Sequence, residues 1–562
     1  MKNIIFLKDA IKHIPQIICL ADKNKFSPTY GCFDRNFWHY KTIDFPTGMA
    51  QLGVLSLALV YSNKFDEYKN ISGNNDEKII NPWYKNERIK ELIISGIKYM
   101  PKCSHKDGTT DEFYPFERAL GATSFSLIAA TEAYLMMDLD EKDIVEFFKK
   151  RGDWMINNAE PAPIANHLAG AALALVNIYL ITKDRKYLNG AKKKIRETIA
   201  LINPEGWFQE YDGCDVGYLT FTIDYVAKYY KKTNDKSVLP ILKKAIEFCS
   251  YFIHPDGSFA GEYGSRNTGH FLPAGFQLMT KEIELSEAIL SQYRTGFSKG
   301  KQEYMNDEKY FFYNVNNYMQ AYLFELQEIK DLENQELKLS RNSRMTRDAI
   351  LPVLPCFGND FFKYFEQAKI YVIKKKDIYC VVSVAKGGII KIFKNTKLTY
   401  SFTGLIGKTN DNKIITTQLF GGTDEETIKE NRIHIKGNFQ KVFFKLQTTE
   451  NFFLLRSLML TLGRSWKIGR FIKHFLVKKL ITKKKILPIS YDFEFLIQEK
   501  IASLRIIIDT KDTQITDLYE TSDLALIQVP TSRYYQEVNL HKWLRIKTNN
   551  KSVIVFNKTI QL

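Results

Sequence analysis

Two short stretches bring together residue types that move protons. The first is Ala162-Pro163-Ile164-Ala165-Asn166-His167-Leu168, which runs on through small and apolar residues to Leu175. Proline is tolerated in a first helical turn, and Ala and Leu favour helix. The stretch therefore reads as a buried helix starting near Pro163, with Asn166 and His167 at the edge of the core. Some fifty positions on, Glu210-Tyr211-Asp212-Gly213-Cys214-Asp215-Val216-Gly217-Tyr218 forms a second loop-to-helix junction. An imidazole and a phenol in one cleft make an acid–base pair, and an amide beside them stabilises negative charge as it grows. His167, Tyr218 and Asn166 fit that description. The plainer reading of the same residues is a capping Asn, a satisfied half-buried His and a packing Tyr.

Three further segments carry more polarity than a connection needs. The loop Asp256–Pro273 contains Glu262, Tyr263, Arg266, Asn267 and His270 among glycines that demand a tightly turned backbone. These five are candidate substrate ligands. The joint His105–Arg118 precedes another apolar run. Near the N-terminus, Gly31–Lys41 has no clear period and holds Asp34, Arg35 and Trp38. There Trp38 would stack on a sugar face and Asp34 or Arg35 would hydrogen-bond it. A strap packed across a helical domain explains that segment equally well.

The elements that must position these residues are helical. From 47 to 330 apolar positions recur at three- and four-residue spacing in 47–62, 86–100, 118–137, 141–157, 164–182, 185–202, 217–231, 237–253, 281–293 and 308–329. Apolar, small-residue segments alternate with charged ones, as inner and outer rings of helices would. Repeated helical hairpins of this kind imply an incomplete (α/α) toroid. After a charged and Pro-containing connection (331–365, with Arg341-Asn342-Ser343-Arg344), short β-branched runs appear: 370–373, 379–384, 389–393, 442–446 and 504–508. They predict an antiparallel β-sandwich over 366–562. The expected division is an irregular strap to residue 45, a toroid over 46–330, a linker over 331–365, and the sandwich. One insertion in the sandwich, 466–485, has several bases, no acid, and Ile468, Phe471, Ile472, Phe475 and Leu476 on one helical face. Such a helix reads as membrane-surface or anion-binding. Its alternative is a helix packed on the sandwich with a solvated lysine face.

Composition narrows the partners. Lys plus Arg number 80 against 63 Asp plus Glu, a net charge of +17, which favours an anionic partner such as an acidic polysaccharide. No nucleic-acid module is recognised, so specific nucleic-acid binding is not expected. The seven cysteines are scattered without a CxxC, against a disulfide framework or zinc ribbon. The nine histidines show no metal-ligand spacing, and no metal or other cofactor is expected. The N-terminus has too short an apolar core for a secretory signal, and no run looks long and apolar enough to span a bilayer. Taken literally the protein is cytoplasmic, with export the alternative.

An (α/α) toroid followed by a β-sandwich, with Asn166-His167 opening one inner helix and Gly217-Tyr218 opening a later one, resembles the heparinase II/III-type polysaccharide lyases and the related oligoalginate lyases. The resemblance implies that Asn166 neutralises a uronate carboxylate while His167 and Tyr218 share the roles of acid and base, which of them is base depending on the epimer at C5. His270 matches a further site histidine only through its polar loop, and Arg266 is added for its charge. The chemistry agrees with those residue types. β-Elimination removes a weakly acidic C5 proton beside a carboxylate, so that carboxylate must be neutralised. A base must reach C5 and an acid must protonate the leaving O4, roles that fit His167 and a Tyr of lowered pKa. Two other readings stand beside this one. Hydrolysis by paired carboxylates would draw on Asp111, Glu112, Glu117, Glu210, Asp212 and Asp215. A non-enzymatic protein would bind a glycan during surface-polysaccharide assembly.

Overall fold

Apolar helices surrounded by amphipathic ones bury most area when the former ring an axis and the latter wrap them. The computed structural model shows that arrangement; it describes residues 2–65, 79–158, 163–211, 213–303, 310–338, 351–443, 446–476, 484–526, 537–548 and 552–562. Asp212, the charged stretch 341–344 and residues 477–483 of the basic insertion lie outside the described residues. In chain order the helices are α1 (Ile4–Ile11), α2 (Ile14–Leu20), α3 (Arg35–Trp38), α4 (Gly53–Ser62), α5 (Glu87–Tyr99), α6 (Leu120–Met136), α7 (Lys142–Asn157), α8 (Ala165–Thr182), α9 (Arg185–Ile199), α10 (Val216–Thr233), α11 (Leu239–Ser250), α12 (Pro273–Leu278), α13 (Leu285–Phe297) and α14 (Phe311–Lys338). Helices α15 (Thr449–Thr461) and α16 (Trp466–Leu476) interrupt the β region.

The inner ring runs α4, α6, α8, α10, α12, α14, each packed on the next, and α14 returns to α4. The outer ring among the described residues is α5, α7, α9, α11 and α13, so the last hairpin lacks its outer member and the toroid is incomplete. Helix α1 fills part of that place against α14. There Asn3 takes the Glu325 carboxylate on its backbone N–H at 2.8 Å and donates its amide to Gln277 Oε1 at 2.7 Å. The first 45 residues are thus not wholly irregular: α1 and α2 are helices whose short apolar sides seat on the toroid. Helix α8 also departs from expectation. It is long and apolar enough to cross a membrane, but it is an inner helix with its apolar residues buried against the neighbouring helices.

One turn recurs where outer helices hand over to inner ones. His105, Asn203 and His254 each donate their backbone N–H to the carbonyl four residues on. Each turn closes on a glycine at positive φ: Gly108 (+86°), Gly206 (+105°) and Gly257 (+83°). Glycine is required because other residues pay to enter that region. The turn reverses the chain so that α6, α10 and α12 all start at the same end of the ring.

The sandwich has a five-stranded antiparallel sheet in the order β1 (Phe361–Phe365), β2 (Ile370–Lys375), β3 (Ile378–Ser383), β4 (Ile389–Lys394), β5 (Lys397–Phe402). The second sheet contains β6 (Leu405–Thr409), β7 (Ile414–Thr416), β8 (Thr423–Lys429), β9 (Arg432–Lys441), β10 (Ile486–Ile497), β11 (Ile501–Asp509), β12 (Ile515–Glu520), β13 (Leu544–Arg545) and β14 (Val553–Gln561). Its order is β13-β12-β6-β7-β9-β10-β11-β14, with β8 also paired to β9. Strand β3 is buried at every position, because its sheet has the toroid core on one face and the second sheet on the other. That explains its continuous β-branched run. Strand β10 alternates, having one wet face.

The connection is shorter than expected at both ends: α14 extends to Lys338 and β1 begins at Phe361. The run 442–446 is not a strand where it is described. Strand β9 stops at Lys441, Phe443 and Leu446 are exposed, and 444–445 lie outside the described residues.

Candidate active site

Because the inner helices start at one end, their first turns meet there. Asn166 and Gly217 are the second residues of α8 and α10, and His167 and Tyr218 the third. Tyr313 is the third residue of α14, and Gly121 the second of α6. Each helix N-terminus carries partial positive charge, so the end of the ring that holds these side chains favours anions. A chain of ring contacts joins them. His167 meets Phe125 edge-on at 5.5 Å, and Phe125 meets Tyr313 at 5.8 Å. Tyr313 meets Phe221 at 5.1 Å, and Phe221 packs on Tyr218 and His270 at 5.8 and 5.7 Å. His167 and Tyr218 therefore stand on one aromatic floor. Both remain partly accessible. The floor crowds His167 on its far side: a Cβ on Gly121 would lie 2.8 Å from both Cε1 and Nε2 of that imidazole.

Glu112 stands beside His167 on the 105–118 loop. It accepts the Tyr310 hydroxyl at 2.5 Å. Burial, with Glu117 nearby, raises its pKa to about 7, against the pull of Tyr310, His167 and Lys473. The loop itself is tied down by Asp111, which accepts the backbone N–H of Phe116 at 2.8 Å and of Arg118 at 2.9 Å and pairs with His105 at 2.9 Å. Glu117 accepts the N–H groups of Glu112 and Phe113. Lys473 of α16 reaches Glu117 at 3.5 Å. The described part of the basic insertion, α16, thus packs on this toroid loop, with Trp466 edge-on to Trp154 at 5.4 Å.

On the Tyr218 side, Asp215 caps α10 by accepting the Tyr218 N–H at 3.1 Å, and it accepts the Arg266 N–H at 2.8 Å. It also accepts the Thr268 hydroxyl. One carboxylate, wholly buried, so registers α10 against the 256–270 loop. Gly217 allows the approach, since a Cβ there would fall 2.2 Å from Thr268 Oγ1. Arg266 lays its guanidinium over the Tyr211 ring at 4.6 Å, and its Nε, buried, has no hydrogen-bond partner among the described residues. His270 stands edge-on to Tyr218 at 5.8 Å, its Nδ1 3.2 Å from Glu303.

The tyrosine does not have the lowered pKa that the sequence suggested. Burial pushes the Tyr218 phenol up, with Tyr211 adding to the rise and Arg266 only partly opposing it. Asn166 donates its amide to Glu210 Oε2 at 2.9 Å and its backbone N–H to Oε1 at 3.2 Å. Burial raises Glu210 to about 8, so it is largely neutral at pH 7.

The structure gathers Asn166, His167, Tyr218, Arg266 and His270. The other candidates it places elsewhere. Glu262 forms a buried ion pair with Lys391 at 2.5 Å. Tyr263 is buried with its hydroxyl 3.0 Å from His254 Nε2, in the core beneath the loop. Asn267 accepts from Lys386, whose ammonium also donates to the Glu262 and Gly264 carbonyls. These three residues fasten the loop to the sandwich instead of lining the cleft. Trp38 donates its indole N–H to the Leu20 carbonyl at 2.8 Å and packs by Tyr99 and Cys103. Arg35 stacks on Tyr40 at 5.5 Å. Both serve the strap. The sequence offers no motif for Tyr310, Tyr313 or Lys473, and suggests Glu112 as a hydrolytic carboxylate, a cap or a sugar-hydroxyl ligand. The signal available for Tyr313 was its place at the start of an inner helix, matching His167 and Tyr218. Among the described residues no group of three or more His, Cys, Asp or Glu side chains is placed to hold a metal.

Residues 83–270, from before α5 through His270, match the ulvan lyase N-terminal domain. The chain is similar in structure to the chondroitin AC lyase of Streptomyces coelicolor A3, solved with chondroitin sulphate: TM-score 0.54 at 8% identity, over 92% of this chain and 68% of that one. Heparinase III aligns over 91% of this chain and 75% of its own at 11% identity, with TM-score 0.42. A family 76 mannosidase of Bacteroides thetaiotaomicron aligns over 58% of this chain and 99% of its own, at 11% identity and TM-score 0.38. No curated protein matches the sequence.

Asp215→Ala removes the acceptor shared by Tyr218, Arg266 and Thr268. Stranding those donors should cost about 1–3 kcal/mol for each one that water cannot reach. Urea unfolding should show a loss of that order, where Asp411→Ala, on an exposed turn, leaves the midpoint within error.

Proposed function

We propose that this chain, whose residues 83–270 match the ulvan lyase N-terminal domain and whose fold is similar to that of a chondroitin AC lyase, cleaves a uronate-containing acidic glycan by β-elimination between His167 and Tyr218. The observation that carries this reading is the shared floor: an imidazole and a phenol at matching positions of neighbouring inner helices, with a guanidinium alongside. His167 takes the C5 proton. Tyr218, held protonated by its raised pKa, gives its proton to the leaving O4. Arg266 and Asn166 meet the uronate carboxylate and stabilise the charge that spreads into it as C5 loses its proton.

The neutral state of Glu210 fits that role for Asn166. A charged carboxylate 2.9 Å from the amide would repel the anion it is meant to receive. A protonated Glu210 can instead donate to the amide oxygen with the side chain turned over, which frees both amide N–H groups for substrate. Glu112 beside His167 accepts from Tyr310 and fixes the wall of the cleft on that side. Hydrolysis is less well served. Asp111, Glu117 and Asp215 are each consumed by backbone N–H groups, Glu210 by Asn166, and Asp212 lies outside the described residues. With Glu112 accepting from Tyr310, each of these carboxyl groups among the described residues already has a hydrogen-bond partner in the fold, where hydrolysis calls for a separated pair acting as acid and base.

His167→Ala and Tyr218→Phe should each lower product formation by about two to four orders of magnitude, read as ultraviolet absorbance of the unsaturated uronate. Unchanged rates in both would end the assignment. Mass spectrometry of the product should show a fragment lacking the water that hydrolysis adds.

Gly121→Ala separates site geometry from stability. Alanine favours helix over glycine by about 1 kcal/mol, yet its Cβ would press on the His167 ring. Activity should fall at least roughly tenfold, about 1.4 kcal/mol in transition-state terms, with thermal stability held or lost only slightly.

Glu210 predicts a pH effect of definite sign. Its folded pKa is raised from an ordinary 4.5 to about 8. The stability linked to its proton is thus complete below pH 4.5 and lost as pH rises through about 8. Glu210→Gln keeps a neutral amide there at every pH. The stability of this variant relative to the wild type should rise from pH 4.5 to 8 in denaturant titrations. A flat difference would show that Glu210 is ionised in the fold.

A further inference from the structure

We propose that the outward face of the α15–α16 hairpin docks on an anionic lipid surface. From Asn451 to Leu476 the chain has five Lys or Arg and no acid. The hairpin is held firmly on its inner side. Arg456 pairs with Asp44 at 3.1 Å and stacks on Phe452 and Phe45. Gly469 lies over the Gly463 carbonyl, and Arg118 donates to the carbonyl of Arg464 at 2.8 Å. Among the large apolar side chains of α16, this seat takes Trp466, Ile472 and Leu476.

The apolar stripe of α16 is wider than its seat. Ile468, Phe471 and Phe475 turn outward, Phe471 with 72% of its surface exposed. Helix α15 does the same with Phe453 and Leu454, 72% and 67% exposed, and Leu460 and Leu462 are exposed towards the bend. Arg464, Lys467, Arg470 and His474 are exposed among them. Scattered apolar residues need no explanation, but several large ones exposed close together along two successive helices, among bases, mark an interaction surface. Large apolar side chains flanked by bases, with no acid, match the boundary between acyl chains and anionic headgroups. An acidic glycan would engage the bases but offers nothing to Phe453, Leu454 or Phe471. A second copy of this face would set bases against bases.

The test is flotation of the full chain with phosphatidylcholine vesicles, with and without phosphatidylglycerol. The protein should float with the anionic vesicles and stay behind with the neutral ones. The double variant Phe453→Ser/Phe471→Ser should bind about tenfold more weakly, as should Lys467→Glu/Arg470→Glu, with circular dichroism and lyase activity retained in both. Three results would overturn the proposal: no flotation of the wild-type chain; equal flotation of the Phe variant, meaning a charge-only surface suited to an acidic glycan; or conversion of a dimer to a monomer by the Phe variant in sedimentation, with no binding to vesicles.

Discussion

The site depends on one buried carboxylate that serves two elements at once. Asp215 caps α10 and also receives the N–H of Arg266 and the hydroxyl of Thr268. Tyr218 and Arg266 are therefore not positioned independently; each is placed relative to the same pair of oxygens. Burial raises the pKa of Asp215, against the bonds from Thr268, Tyr218 and Arg266 that pull it down. An unsatisfied carboxylate at that depth would be costly, so the donors must be present for the fold to close. That requirement makes the register of the 256–270 loop against α10 hard to change without unfolding the end of the ring.

The same loop has a second face, and the sandwich holds it. Lys386 gathers the Glu262 and Gly264 carbonyls with the Asn267 side chain, Ser383 donates to the Tyr263 carbonyl at 3.0 Å, and Lys391 pairs with Glu262. A loop this rich in glycine would sample many conformations alone. Clamping one face on the first sheet leaves Arg266 and His270 turned to the toroid. The sandwich thus contributes to the site by fixing its rim. From the far side its insertion does the same: α16 buttresses the 105–118 loop that carries Glu112 and brings Lys473 to Glu117.

Much of the toroid was legible because its signal is local. The alternation of small apolar helices with charged ones gave α6 through α11 to within a few residues, and the pair Asn166-His167 was found at the helix start it occupies. What the sequence could not disclose was which side of a polar loop faces the cleft. Glu262, Tyr263 and Asn267 carry site-like chemistry and spend it on the sandwich, a contact with partners more than a hundred positions away. Trp38 has the residue type of a sugar platform but is pinned to α2, whose seven residues are too few to show a period. Helix α15 escaped notice because its apolar residues follow no seat: only Met459 is buried, so no periodicity reports it.

The lowered tyrosine pKa failed for a related reason. Sequence places a cation near Tyr218 but is blind to the desolvation that comes with a ring floor of Phe221, His270 and Tyr313. In this site burial is the leading cause for Glu112, Glu210 and Tyr218 alike, and in each case it favours the neutral form. That bias acts on the charge of the cleft. An ionised Glu210 would set a negative charge 2.9 Å from the Asn166 amide; with its pKa at about 8 it is largely protonated at pH 7, and Glu112, at about 7, is about half so. The apolar floor thus does more than hold the rings. By holding Glu210 and part of Glu112 in the neutral form, it lowers the negative charge beside the inner-helix N-termini, whose partial positive charge is then less opposed.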